Sequence, residues 1–151
     1  MAVHMQKKLL ISLVFGAIIL SSCGLTTQPG IIKVGIHVSP GDGSAYCEFT
    51  ADGWAEGGHA SGGPEPIVHT NREKLPRKQV EEIWAAAGAI DTQKYPLTTS
   101  ALRECTECVE LFIYYSDGRI MHLSWPYRER HPDPKVQELE ALLYEYNVGG
   151  W

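Results

Sequence analysis

The sequence predicts a single α+β domain, an antiparallel sheet of four to five strands with two helices packed on one face. Three observations lead there. Apolar and polar residues alternate over Ile32–Val38 and twice more between Val109 and Trp125, the period of half-buried strands. After Pro76 and again after Pro134 the apolar residues recur at three and four, the period of a helix lying on a core. The 151 residues, 44% hydrophobic and 21% charged, suit one folded domain and are too apolar for a disordered chain.

The first strand carries Ile32, Val34, Ile36 and Val38 on one side, and Pro40-Gly41-Asp42-Gly43 ends it with turn chemistry. A second strand spans Ala45–Thr50 with Cys47 and Phe49 on one side, and Asp52-Gly53 reads as a hairpin turn into Trp54–Glu56. Gly57 to Pro66 is rich in Gly and Pro and is predicted to be loop, with a brief extended piece over Ile67–Thr70. Pro76 suits the first position of a helix whose stripe is Val80, Ile83, Trp84 and Ala87, with Gly88 as its stop. Trp84 lies mid-stripe, the place of a core anchor more than of a ligand platform. Asp91–Glu104 reads as irregular.

Val109 to Trp125 is predicted to be an antiparallel hairpin around Ser116-Asp117-Gly118. A two-residue Asp-Gly loop would set Ile113 opposite His122 and Leu111 opposite Ser124, mixing the faces. A three-residue loop with Gly118 left-handed sets Leu111 opposite Leu123, Ile113 opposite Met121 and Val109 opposite Trp125. Only the second makes one face wholly apolar, so it fixes the register. The last helix is capped by Asp133, has Pro134 in its first turn, carries Val136, Leu139, Leu142, Leu143 and Tyr146, and ends at Gly149-Gly150. In this register Phe112, Tyr114, Ile120 and His122 fall on the face away from the helices. Either the first strand's loop or the Gly57–Pro66 segment folds over that patch, or it meets another protein, since interfaces are enriched in aromatics.

The N-terminus carries an address. Lys7 and Lys8 precede an apolar run, Leu9 to Leu20, that is short of the about 20 residues needed to cross a bilayer. Leu20-Ser21-Ser22-Cys23 follows, and this order of charge, apolar run, small residues and cysteine resembles the signal peptide and lipobox of bacterial lipoproteins. The resemblance implies removal of residues 1–22 and lipidation of Cys23, with residues 23–30 as a lipidated tether and residues 31–151 as the domain. It implies anchoring in a bacterial cell envelope. Gly24 rather than Asp after the cysteine points to the outer membrane, facing the periplasm, in a Gram-negative cell. Met5 is an alternative start. Residues of the second half, Cys105, Cys108, Asp117 and Gly118 among them, also resemble small bacterial lipoprotein domains, a likeness that carries over no site.

Thirteen Lys plus Arg against eighteen Asp plus Glu give a net charge of −5. Nucleic acid is thereby disfavoured as a partner, since its phosphates demand a basic patch. Cys47, Cys105 and Cys108 allow one intramolecular bridge. Joining Cys47 to Cys105 or Cys108 closes the longer loop and is the pairing that chain entropy favours. Cys105-Thr106-Glu107-Cys108 has redox-dithiol spacing, but a strand follows where an activating helix N-terminus is needed. His37, His59, His69, His122 and His131 are scattered singly and make no zinc-finger spacing with the one cysteine pair. No motif specifies a catalytic residue, a metal or a cofactor. Two readings emerge: a lipid-anchored, non-catalytic module binding an envelope or secreted protein, of inhibitor or immunity type, or a small metal- or thiol-dependent envelope protein using Cys105 and Cys108.

Overall fold

The computed structural model describes residues 30–61, 68–100 and 105–150. Cys23, the segment before it and the tether up to residue 29 lie outside the described residues. So do residues 62–67 and 101–104.

Among the described residues seven strands form one antiparallel sheet: β1 Ile31–Pro40, β2 Gly43–Thr50, β3 Trp54–Ser61, β4 Val68–Lys74, β5 Leu97–Thr98, β6 Glu107–Tyr115 and β7 Ile120–Pro126. Their order is β4-β3-β2-β1-β6-β7-β5. Among the described residues two helices, α1 Arg77–Gly88 and α2 Pro134–Glu145, join the sheet in an α+β architecture. The expected class is present, but the expected four to five strands become seven.

The extra pairing comes from segments that composition disguises. The loop predicted from Gly57 is strand as far as Ser61, because β3 uses its glycines for a close crossing. A Cβ built on Gly57 would lie 2.8 Å from the Gly149 backbone nitrogen, and one on Gly149 would lie 2.5 Å from the Gly58 nitrogen. The C-terminal segment therefore runs flat over β3, and glycine inside a strand marks that approach. It also corrects the role expected of Gly149: α2 already ends at Glu145, and Asn71 Nδ2 donates to the Val148 carbonyl at 3.0 Å to hold the crossing. β4 extends to Lys74, well past Thr70, and Leu97–Thr98 leaves its irregular surroundings to pair with Met121 and Ile120.

The β6–β7 hairpin has the predicted register: Val109 faces Trp125, Leu111 faces Leu123 and Ile113 faces Met121. Gly118 takes φ +85°, and the Tyr115 nitrogen donates to the Arg119 carbonyl at 2.9 Å across a three-residue loop. The helix starts match within a residue. Pro76 is the residue before α1 rather than its first, and Asp133 accepts from the Lys135 backbone nitrogen to cap α2. α1 does end at Gly88, but through a right-handed Ala89 cap and not a left-handed glycine.

Both helices bury their stripes on the same side of the sheet. Ile83 and Ala87 of α1 and Val136, Leu139 and Leu143 of α2 share one cluster with Val34, Ile36, Phe49, Leu111 and Met121. Each such fully buried large side chain contributes about 1.5–3 kcal/mol over its exposed state. Trp84 behaves as an anchor: half-buried against this core, it donates its indole N–H to the Ile31 carbonyl at 2.9 Å and ties α1 to the start of β1. The other side of the sheet carries neither helix.

Candidate functional site

The helix-free side is built by residues that alternate with the core positions. On β1 these are Lys33, Gly35, His37 and Ser39; on β6, Cys108, Glu110, Phe112 and Tyr114; on β7, Ile120, His122 and Ser124. Register sets Tyr46 beside His37, His37 beside Glu110, and Phe112 beside His122. Phe112, Tyr114, Ile120 and His122, named from sequence as one patch, do lie together on this face.

Phe112 is the hub. It is only 1% exposed, yet it points away from the helix-side core. The His122 ring stacks on it at 4.6 Å and 8°, the His37 ring meets it edge-on at 5.6 Å, and Tyr46 stacks on His37 at 5.5 Å. A row of rings, alternately histidine and Tyr or Phe, thus crosses β2, β1, β6 and β7. Tyr114, Ile120 and His122 themselves stay half-buried around the hub. The centre of the patch is thus packed by rings of its own face, His37 and His122, while Tyr114, Ile120 and His122 form a half-buried rim; residues 62–67 of the Gly57–Pro66 segment expected as a cover lie outside the described residues.

A carboxylate is buried in the same place. Glu110 is 3% exposed, and His122 Nε2 lies 3.0 Å from its Oε1. An unpaired carboxylate so deep would be expensive, so the imidazole is the partner that makes the position tenable. Nearer the rim Lys33 Nζ sits 3.2 Å from Glu48 Oε2 and 4.3 Å from the centre of the Tyr114 ring. Burial together with Glu56 and Glu48 pushes the Tyr46 hydroxyl pKa up, keeping it a neutral donor. The face is thus amphipathic: flat rings at the centre, and at the edges donors and acceptors already committed to one another.

The cysteines are arranged otherwise than chain entropy suggests. Cys105 and Cys108 are within disulfide distance of each other, their Cα atoms 5.9 Å apart, while Cys47 is free and buried. Geometry explains the correction. Cys47 pairs in register with Ile36 and points into the helix-side core, whereas Cys108 lies in register with Ser39 on the opposite face. A sheet separates the two sulfurs. Burial pushes the Cys47 thiol up to about 11, so it stays protonated and unreactive. Cys108 stands inside β6, with no helix following it.

The histidines are less scattered than their spacing suggests. His37 and His122 flank Phe112, His59 and His69 face each other across β3 and β4, and His131 is buried against Trp125. The His59–His69 pairing was hidden because its first half sits in the stretch read as loop. Glu110 was hidden because a lone acid in an alternating strand looks like a solvent-facing position. Among the described residues, no group of three or more His, Cys, Asp or Glu side chains is placed to hold a metal ion. The chain matches no protein-family model and no curated protein.

Proposed function

We propose that this chain is a lipid-anchored module of a bacterial envelope that binds another envelope or secreted protein through the helix-free face of its sheet, in the manner of an inhibitor or immunity partner. The observation that carries the reading is the Phe112 hub with a half-buried rim of Tyr114, Ile120 and His122. Rigid aromatic side chains on a flat sheet lose little conformational entropy on docking, and interfaces concentrate binding energy in such anchors. Anchoring rests on the lipobox residues alone, where two or more acyl chains at about 0.8 kcal/mol per buried methylene hold a protein stably.

The test uses Tyr114→Ala in the full-length chain. Unchanged melting with loss of the partner captured from envelope extract supports the reading. A large loss of melting temperature with capture intact assigns Tyr114 to internal packing and overturns it. Lipidation is tested separately: Cys23→Ser is expected to lose labelling by a fatty-acid probe, and persistent labelling rejects the anchor. The thiol-dependent reading draws on the Cys105–Cys108 pair. It requires a dithiol that cycles with a redox partner, and a disulfide inert to such partners excludes it.

A further inference from the structure

Register sets His59 of β3 directly against His69 of β4, with ring centres 4.9 Å apart and both side chains exposed. His59 Nδ1 lies 3.3 Å from the Gly149 carbonyl oxygen. A carbonyl only accepts, so Nδ1 carries the proton and Nε2 keeps its lone pair. A hydrogen bond from the second ring nitrogen to a backbone carbonyl is what fixes the tautomer and orientation of metal-bound imidazoles.

We propose that His59 and His69 form a two-imidazole site for a divalent first-row transition ion, with copper(II) bound tightest. The separation fits. An ion about 2.0–2.1 Å from each nitrogen sits about 3.2 Å from each ring centre, so imidazoles at about 90–110° around it hold their centres about 4.5–5.2 Å apart. The two ring planes differ by 27°, and the tips converge when the His69 ring turns. The His69 ring makes no side-chain hydrogen bond among the described residues, and a histidine ring rotates in a broad torsional well. Beside the pair, His59 lines a cavity of about 380 Å³ together with Ser44, Ala60, Tyr127 and Gly150, with room for the water or incoming donor that completes the coordination. Imidazole suits copper, nickel and zinc rather than magnesium or calcium, and affinity along the first row peaks at copper(II). Both rings must be neutral to bind, so affinity falls on acidification.

The competing explanation is a cross-strand aromatic pair with no ligand. Phenylalanine keeps that stacking and removes the nitrogens, so His59→Phe and His69→Phe separate the two. Copper(II) is titrated into the full chain in detergent against a glycine competitor and followed by electron paramagnetic resonance. One equivalent with coupling from two imidazole nitrogens is expected. Each single substitution should weaken it at least about tenfold, the lower end of what losing even an outer-shell partner costs. Binding unchanged in the double variant, or a spectrum with fewer than two imidazole nitrogens, overturns the proposal. A second measurement needs no variant: zinc(II) should protect His59 and His69 of the unaltered chain from diethylpyrocarbonate, and undiminished modification of both rejects the site. Neither result depends on lipid anchoring or on the helix-free face.

Discussion

His131 and Asp133 show what single side chains do at the start of α2. His131 is buried, and its Nδ1 accepts from the Asp133 backbone nitrogen at 3.1 Å. Burial holds its pKa below the ordinary 6.5, so as the pH falls the unfolded chain takes up the proton first. Its contribution to stability is therefore present above about 6.5 and is lost as the pH drops from there toward the lower folded value. Asp133 acts further down the scale. The Lys94 ammonium, then the Lys135 backbone nitrogen and the Tyr95 hydroxyl, pull it from 3.8 to about 2. Its contribution is present above 3.8 and disappears between there and about 2. Melting curves across pH should thus show two acid-side losses, the first flattened in His131→Gln and the second in Asp133→Asn. A first step that persists in His131→Gln would assign it to another group. The Asp133 cap was legible in the sequence because Asp before Pro, followed by a helical stripe, has a local cause. Its bond to Lys94 was not, since the partner lies far away in the chain.

Two glycines, one in a turn and one inside a strand, carry the same principle to the scale of elements. Gly118 at φ +85° closes the β6–β7 loop, and any Cβ there costs roughly 1–2 kcal/mol as left-handed backbone. Gly118→Ala should lower stability by that amount without moving the register, because the apolar faces still demand Leu111 opposite Leu123. Gly57→Ala should cost more, on the order of 1–3 kcal/mol as overpacking, since the added carbon meets the Gly149 backbone and nothing flexible. Hydrogen exchange at Gly149 and Gly58 reports it: faster exchange is expected, and unchanged protection would mean the crossing is loose. These cases explain which elements the sequence reveals. The β6–β7 hairpin and both helices announce themselves through uninterrupted periodicity. β3 does not, because the glycines that break its pattern serve a crossing by residues almost a hundred positions later. β5 has only two residues, and its pairing is decided by β7 alone.

At the scale of the molecule, the sheet has two working sides with different energetics. Leu139→Ala on the helix side should cost about 2–5 kcal/mol as a cavity in a closed core, read as a fall in melting temperature. Ile120→Ser on the rim of the other side should cost far less, and a comparable loss would show that this face is closed by something more than its own side chains. The patch of Phe112, Tyr114, Ile120 and His122 was foreseeable from register alone. Its amphipathic centre, with Glu110 held by His122, needed the third dimension. The same sheet order has a consequence in time. β1 pairs on one edge with β2, its immediate neighbour, and on the other with β6, about 65 residues further along. A ribosome adding ~5–20 residues per second needs roughly 3–13 s to deliver that second partner. For those seconds the emerging chain carries a ten-residue strand with Val34, Ile36 and Val38 and one bare row of amides, so the future centre of the sheet begins its life as a sticky edge that some holding factor, or sheer speed, has to protect.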